Sequence, residues 1–166
     1  MRAVLKVLCL GALAFTPVML SGCAGFTPLY AERVTVNMAQ IGIEVPQTRT
    51  GYFLEQDLRS GFGSDESSPK LYQLTVTMVE RHYSIGYRVD ETSSRSEITS
   101  RVSYTLTELR TNKRLARGSF SETVTYNTSQ SPFIGVVSQQ DAQERIAGAI
   151  SQKIQNELAL YFHGKP

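Results

Sequence analysis

The hydrophobic residues of this chain follow two different periods. Between residues 71 and 126 they alternate with polar residues, which predicts strands that have one buried and one solvated face. From residue 141 to residue 162 they recur every three or four positions, which predicts an amphipathic helix. Both periods occur in one chain of 166 residues that is 41% hydrophobic, so they indicate a single domain around one core.

The N-terminal part of this domain predicts one strand. Arg33 to Ile43 is assigned to a first strand, because Val34, Val36 and Met38 alternate with polar residues. Pro46 ends this strand, since proline has no N–H to donate to a sheet.

A helix is predicted from Thr50 to Phe62, because its apolar residues fall on one side of a helical turn. Thr50 is expected to cap the first turn, and Gly61 and Gly63 are expected to stop the helix. The polar residues 63–70 that follow predict a loop.

Three strands follow one another in the middle of the chain. Tyr72, Leu74, Val76 and Met78 mark the clearest of them. The predicted segments are a strand over residues 71–87, a loop over 88–95, a strand over 97–109, a turn over 110–113 and a strand over 114–126. A strand, a polar turn and another strand predict an antiparallel hairpin.

The C-terminal segment predicts a loop over residues 127–132 and a long helix over Asp141 to Phe162. Ser138 and Asp141 have the spacing of a capping box, although aspartate stands where glutamate is usual. Residues 133–137 are expected to form an apolar loop that either packs on the core or contacts a partner.

The predicted element order is therefore strand, helix, three strands, helix. Successive strands favour an antiparallel meander, and each helix has only one apolar face to bury. The expected fold class is α+β: a two-layer α/β sandwich, with two helices packed on one face of a mostly antiparallel four-stranded sheet.

The N-terminus has the pattern of a secretion signal. Arg2 and Lys6 precede an uncharged, apolar segment over residues 7–20, which is shorter than the roughly 20 residues of a membrane span. The next residues, Leu20-Ser21-Gly22-Cys23, resemble the lipobox of bacterial lipoproteins. The lipobox implies cleavage between Gly22 and Cys23, a diacylglyceryl group on the Cys23 thiol and acylation of the new amine. The alternative is a plain signal peptide with an incidental cysteine.

The lipobox divides the chain into a signal peptide (1–22), a lipidated tether (23–32) and a single domain (33–166). In the tether, Phe26 and Tyr30 are expected to dock onto the domain or a partner. Ala24 stands where the enteric sorting rule needs aspartate for retention at the inner membrane, so we expect the outer membrane. Two or more acyl chains make such an anchor stable.

Cleavage also removes the net positive charge. The mature chain would have 144 residues, and the loss of Arg2 and Lys6 reduces 17 basic residues to 15, equal to the 15 acidic ones. A neutral domain is a poor binder of nucleic acid, since that binding depends on neutralising phosphates. Cys9 is lost with the signal and Cys23 carries lipid, so no internal disulfide is expected.

Catalytic and metal-binding motifs are missing from the sequence, so we expect no enzyme, no metal and no cofactor beyond the covalent lipid. His82 lies within a predicted strand, and a periplasmic hydrolase built on it with a nearby serine is a distant alternative. The adjacent carboxylates at 65–66 and 90–91 are expected to be solvated loop charges.

One basic cluster lies at the predicted hairpin turn. It comprises Arg110, Lys113, Arg114 and Arg117, with Arg101 nearby in sequence. These side chains can bind phosphate or carboxylate groups, arginine by paired hydrogen bonds. The alternative is a strand edge that charge protects from pairing with other strands.

Three segments together resemble a known family. They are the lipobox with Gly25-Phe26-Thr27-Pro28-Leu29-Tyr30, the helical stretch Thr50–Leu58, and the closing stretch Asp141–Phe162. The chain is similar to the LptE family of lipopolysaccharide-assembly lipoproteins, in its alphaproteobacterial form. Ala24 is a departure from the family pattern, because it separates the cysteine from the glycine.

The resemblance implies two helices on a four-stranded sheet, and a plug inside the outer-membrane β-barrel LptD that delivers lipopolysaccharide to the outer leaflet. It also implies lipopolysaccharide binding by basic residues, for which Arg110, Lys113, Arg114 and Arg117 are the candidates. The threonine-rich strand face suits the polar lumen of a barrel. The alternative is a stand-alone lipoprotein that binds an anionic glycolipid through the same four residues. The threonine-rich strand face named above consists of Thr75, Thr77, Thr105, Thr107, Thr123 and Thr125.

Overall fold

The structure is a computed structural model that describes residues 32–64, 67, 69–87, 93–128 and 131–164. The predicted signal peptide, Cys23, Phe26 and Tyr30 lie outside the described residues, as do the carboxylates at 65–66 and 90–91. The elements are α1 (Glu32–Ala39), β1 (Ile41–Glu44), α2 (Arg49–Phe62), β2 (Tyr72–Tyr87), β3 (Ser93–Glu108), β4 (Lys113–Asn127) and α3 (Pro132–His163).

The four strands form one sheet in the order β1-β2-β3-β4. β1 is parallel to β2, and α2 makes the helical crossover that two parallel neighbours require. β2, β3 and β4 are successive antiparallel neighbours, as the strand and turn pattern predicts. The predicted α+β fold, with helices on a mostly antiparallel four-stranded sheet, is therefore confirmed.

The strand register separates a helix-covered face from an open face. The even-numbered side chains of β2 and β3 share the helix-covered face, and Leu74, Ile98 and Leu106 among them are fully buried in one core with the helices. The odd-numbered side chains point to the opposite face, since neighbouring strand residues alternate. This second face is called the open face below.

α3 covers the sheet along its length. Its 32 residues span about 48 Å at 1.5 Å per residue, and a 16-residue strand such as β3 spans about 53 Å. The predicted stripe of Ile146, Ile150, Ile154 and Leu158 is completely buried. The prediction of an amphipathic C-terminal helix is confirmed for this part of α3.

The first predicted strand is wrong over most of its length, because residues 32–39 form α1 and only Ile41–Glu44 form a strand. Val34 and Met38 are buried, whereas Val36 is 52% exposed. Positions four apart lie on one side of a helix, so burying Val34 and Met38 fits a helical turn. The domain therefore contains a third helix, ahead of the first strand.

The caps of α2 differ in part from the prediction. Thr48, and not Thr50, is the N-cap, and its hydroxyl accepts a 3.1 Å hydrogen bond from the Gly51 N–H. Thr50 is buried inside the first turn. Gly61 lies within the helix, and Gly63 ends it in the left-handed conformation that glycine adopts without strain, as predicted.

Two predicted loops are shorter than expected. α3 begins at Pro132, so residues 133–137 are helical and the Ser138–Asp141 capping box is wrong. Proline suits the first turn of a helix because its missing N–H would have no partner there. β3 begins at Ser93, so only residues 88–92 of the predicted loop over 88–95 stay outside the described strands.

Candidate functional site

The open face of the sheet carries a ladder of hydroxyl groups. The Thr99 and Thr123 hydroxyls are 3.2 Å apart, and the Ser103 hydroxyl donates to the Ser119 hydroxyl at 3.1 Å. The Thr75 hydroxyl donates to a Glu44 carboxylate oxygen at 3.1 Å. All six threonines of the predicted solvated face have side chains on this face, so that prediction of a polar face is confirmed by the register.

A β-bulge decides which basic residues share this face. Leu106 pairs with Ala116 and Thr107 pairs with Arg114, so Leu115 is an extra residue on β4. Arg114 and Arg117 are three residues apart and would point to opposite faces of a regular strand. Because the bulge shifts the register by one, both point to the open face.

Arg114 and Arg117 line a groove of about 460 Å³ at the β3–β4 edge of the sheet, called the basic groove below. Ser103, Thr105 and Ser119 add hydroxyl groups to its lining. Two guanidinium groups beside hydroxyl donors provide hydrogen-bond donors for an oxyanion such as a phosphate. The groove therefore has the chemistry of an anion site.

Only two of the four residues in the predicted basic cluster lie in the basic groove. Arg110 lies in the turn between β3 and β4, and Lys113, the first residue of β4, is opposite Glu108 in the strand register. Neither residue lines the basic groove. The structure thus brings Arg114 and Arg117 together, and leaves Arg110 and Lys113 beside the turn.

Two further arginines extend the positive charge along the open face. Arg101 lies opposite Val79 on β2 and Ser121 on β4, and Arg81 lies opposite Thr99. Within the described parts of the chain, neither has a hydrogen bond or ion pair. The sequence indicates their position, because both residues are odd-numbered like the threonines of this face, although Arg81 lies far from the basic residues at the turn.

Tyr104 connects the sheet to α3 on the helix-covered face, behind the basic groove. Its hydroxyl donates a hydrogen bond to the Glu157 carboxylate, and its ring lies across Gly118 on the neighbouring strand. Burial, followed by the hydrogen bond to Glu157 and the charge of that carboxylate, raises the pKa of Tyr104 well above its ordinary value. Gly118 is required because any side chain there would meet the ring.

A second groove, of about 610 Å³, lies between the end of β4 and the first turns of α3. Arg145 lines it, and its guanidinium donates to Asp141 at 2.9 Å and to the Thr125 carbonyl at 3.3 Å. The adjacent apolar segment is exposed, with Phe133 at 77%. Arg95 also lines this groove, but Asp141 compensates the charge of Arg145, so the groove has less net positive charge than the basic groove, whose lining has two arginines and no acidic residue.

His82 is exposed near the outer edge of the sheet, and its Nε2 atom lies 3.8 Å from Glu80 Oε2. That carboxylate is its only ion-pair partner among the residues described. Across the same residues, no cluster of three or more histidine, cysteine or acidic side chains could hold a metal ion. Nor does any described helix have the length and hydropathy needed to span a membrane.

Solved structures similar to this chain exist, whereas comparisons of its sequence with family models and curated proteins find no match. A lipoprotein from Caulobacter crescentus CB15 is similar with a TM-score of 0.69 and 28% identity, over 80% of this chain and 97% of that chain.

More distant structures share the fold. Rare lipoprotein B from Shewanella oneidensis is similar with a TM-score of 0.54 and 8% identity, over 72% of this chain and 93% of that chain. A minor lipoprotein from Acinetobacter baumannii has a TM-score of 0.50 and 13% identity, over 72% and 90%. The described domain therefore has a fold that is shared with bacterial lipoproteins, rare lipoprotein B among them.

Proposed function

We propose that this chain is an outer-membrane lipoprotein, anchored by acylated Cys23, that plugs and supports the LptD β-barrel during lipopolysaccharide transport to the outer leaflet. The fold is shared with bacterial lipoproteins, rare lipoprotein B among them, and the sequence places a lipobox cysteine directly after an apolar signal segment. In this role the protein works by fit and by binding, with no reaction of its own.

The observation that carries the proposal is the open face of a sheet whose other face is covered by helices. A sheet face rich in hydroxyl groups makes adaptable, hydrated contacts with a polar surface, as the lumen of a large barrel provides. The hydroxyl pairs Thr99–Thr123 and Ser103–Ser119 already satisfy part of this face internally. Such a face can contact the lumen mainly through hydroxyl groups and bridging water, and it needs few ion pairs with the barrel.

The barrel contact is tested by photo-crosslinking from the open face in intact cell envelopes. A crosslinking amino acid at Ser103 should give one dominant product that contains this chain and a large β-barrel protein. A product without a barrel protein would contradict the plug. Depletion of the chain should also leave lipopolysaccharide inside the envelope, which separates this role from that of an unrelated barrel ligand.

A second candidate function is favoured by the basic groove. There the protein would bind the phosphate groups of an anionic glycolipid through Arg114 and Arg117 without a barrel partner. The discriminating variant is the double reversal Arg114→Glu/Arg117→Glu, with Arg110→Glu/Lys113→Glu as a control that changes charge equally outside the groove.

The two functions predict different outcomes for these variants. If the groove binds glycolipid, the groove reversal should weaken lipopolysaccharide binding at least about tenfold, corresponding to about 1.4 kcal/mol. The control should weaken it much less, because exposed charges outside a site act only through screened, long-range attraction. A crosslink to the barrel that persists in both variants supports the plug. If the wild type gives no such crosslink, the stand-alone glycolipid binder is the function that remains.

A further inference from the structure

Within the part of the chain that the structure describes, the outer edge of β2 is left open over most of its length. β1 pairs only with Tyr72–Thr75, so the outer edge of β2 has no partner strand among the described residues from Val76 onward. A strand edge without a partner presents a row of unpaired main-chain donors and acceptors, which is a template for another strand. The segment Val76–Tyr83 is called the β2 edge below.

The hydrogen bonds at the start of β2 show which main-chain groups point outward. The Leu71 carbonyl accepts from the Leu109 N–H on the β3 side, and the Tyr72 N–H donates to the Gln40 carbonyl on the opposite side. Because this direction alternates along an antiparallel strand, the even-numbered residues direct their main-chain groups away from β3. Met78, Glu80 and His82 therefore present the free groups of the β2 edge.

The side chains around this edge are unusually exposed for a regular strand. Arg81 to Ile85 are all exposed, so neither face of β2 is covered here. Val79, Tyr83 and Ile85 are 61%, 45% and 46% exposed. From Arg81 to Ile85 β2 is exposed on both faces and on one edge, so this part gains little from its own domain, which favours its use as a contact surface.

Two charged side chains at the β2 edge keep polar atoms without partners among the described residues. Arg81 lies on the open face between Val79 and Tyr83, without a hydrogen bond or ion pair in the described chain. Glu80 lies on the opposite face, where its Oε2 atom is 3.8 Å from His82 Nε2 and its Oε1 atom is buried without a hydrogen-bond partner among the described residues. An incoming strand could supply an acidic residue opposite Arg81 and a basic residue opposite Glu80.

A second copy of this chain fits the edge poorly. Antiparallel pairing that matches Val79 with Tyr83 of a second copy sets Arg81 directly against its own symmetry mate. Like charges directly opposite in a sheet are destabilising. A strand from a different protein can instead place an acidic residue opposite Arg81, so it matches the charges of the edge better than this register of a second copy.

We propose that the β2 edge is a docking site for an extended strand of a partner protein, which adds to the sheet beyond β1. On one face this strand carries two apolar residues, opposite Val79 and Tyr83, with an acidic residue between them opposite Arg81. On its other face it carries a basic residue opposite Glu80. Main-chain hydrogen bonds to Met78, Glu80 and His82 provide the affinity, and the side-chain pattern provides the selectivity.

The probe is the synthetic peptide Thr-Val-Lys-Glu-Lys-Val-Thr, which has this pattern in either direction. The control peptide Thr-Val-Glu-Lys-Glu-Val-Thr has the same apolar residues with the charges exchanged. The full-length chain in detergent is titrated with each peptide, and binding and amide hydrogen exchange are measured. The first peptide should slow exchange at Met78, Glu80 and His82 and bind at least about tenfold more tightly than the control.

Two variants separate main-chain pairing from side-chain contact. His82→Pro removes an outward N–H while leaving the β2–β3 ladder intact, because proline is accepted where the N–H faces away from the sheet. It should weaken binding about fivefold or more, whereas His82→Ala should stay within about twofold of the wild type. Unchanged thermal unfolding of both variants shows that the domain remains folded.

Several results would overturn the proposal. Equal binding of the two peptides, equal effects of His82→Pro and His82→Ala, or no saturable binding each exclude pairing of this strand type at the β2 edge. A concentration-dependent dimer that His82→Pro abolishes would assign the edge to a second copy instead. The barrel crosslink from Ser103 tests the proposed function separately and does not depend on any of these outcomes.

Discussion

Replacing Gly118 with alanine should destabilise the domain, although the change adds only one methyl group. The new Cβ would lie 2.7 Å from Cζ and 2.8 Å from the hydroxyl oxygen of Tyr104, closer than real Cβ contacts. The ring cannot move freely, because Tyr104 is 5% exposed and its hydroxyl is hydrogen-bonded to Glu157. Accommodating the methyl group therefore displaces the ring from that bond.

The magnitude follows from three contributions. Overpacking of a tightly packed site costs about 1–3 kcal/mol. Weakening a hydrogen bond to a charged group costs about 1.5 kcal/mol. The reduced backbone freedom of alanine in the unfolded chain offsets about 0.5–1 kcal/mol. The net loss is about 3 kcal/mol, which lowers the midpoint of thermal unfolding by about 10 °C.

The assay is urea-induced unfolding of the wild type, Gly118→Ala and the matched control Gly148→Ala. At Gly148 the nearest atom to an added Cβ is Asp57 Oδ2 at 3.6 Å, an ordinary contact. Since alanine is the better helix former, Gly148→Ala should stabilise the domain by about 1 kcal/mol. In a Tyr104→Ala background the Gly118→Ala penalty should disappear. A neutral or stabilising Gly118→Ala, or a penalty that survives without the ring, would refute the reasoning.

Three more predictions concern the fold. The pKa of Tyr104 is raised in the folded state, so its contribution to stability is complete below the ordinary tyrosine pKa of about 10 and is lost as pH rises above that value. Urea unfolding should therefore show that the stability advantage of wild type over Tyr104→Phe shrinks above about pH 10, and a constant difference would contradict this. In the same assay, Val34→Asp should lower the free energy of unfolding by about 3 kcal/mol, because Val34 is buried. Val36→Asp should lower it by less than about 0.5 kcal/mol, because Val36 is exposed. Equal losses would favour a strand in place of α1. Ile150→Ala, at a completely buried position, should cost about 2–5 kcal/mol, and a cost below about 1 kcal/mol would show that α3 does not pack on the core as described.

The sequence predicts the strands of this fold better than its helix ends. β2, β3 and β4 were predictable because one face of the sheet is polar, so the alternation of Thr75, Val76 and Thr77 is unambiguous. α1 was missed because the exposed Val36 completes an alternating pattern with Val34 and Met38. The first turn of α3 was missed because exposed apolar residues over 133–137 carry no helical period.

The candidate site was predictable in its composition but not in its geometry. The basic residues at the turn are evident in the sequence, and so is the hydroxyl-rich face. The bulge at Leu115 decides that Arg114 and Arg117 share a face, and it depends on the pairing between β3 and β4. No local pattern around Leu115 reveals that pairing, so the separation of Arg110 and Lys113 from the groove became visible only in three dimensions.

The basic groove and the β2 edge are far enough apart to be tested independently. Arg117 is level with Thr75 through Thr105, and Arg81 lies six residues further along β2. At about 3.3 Å per residue this separates them by about 20 Å, beyond the range over which exposed charges interact strongly in physiological salt. Variants in one surface should therefore leave binding at the other unchanged.

The central claim is that a lipid-anchored plug occupies a barrel. The most direct test is native mass spectrometry of the chain, purified from detergent-solubilised envelopes through a tag after the C-terminal residue. The expected result is an N-terminus at Cys23 with diacylglyceryl and N-acyl groups, bound to one large β-barrel protein in a one-to-one complex. A mature chain that begins elsewhere, carries a free thiol or arrives without a barrel would contradict it.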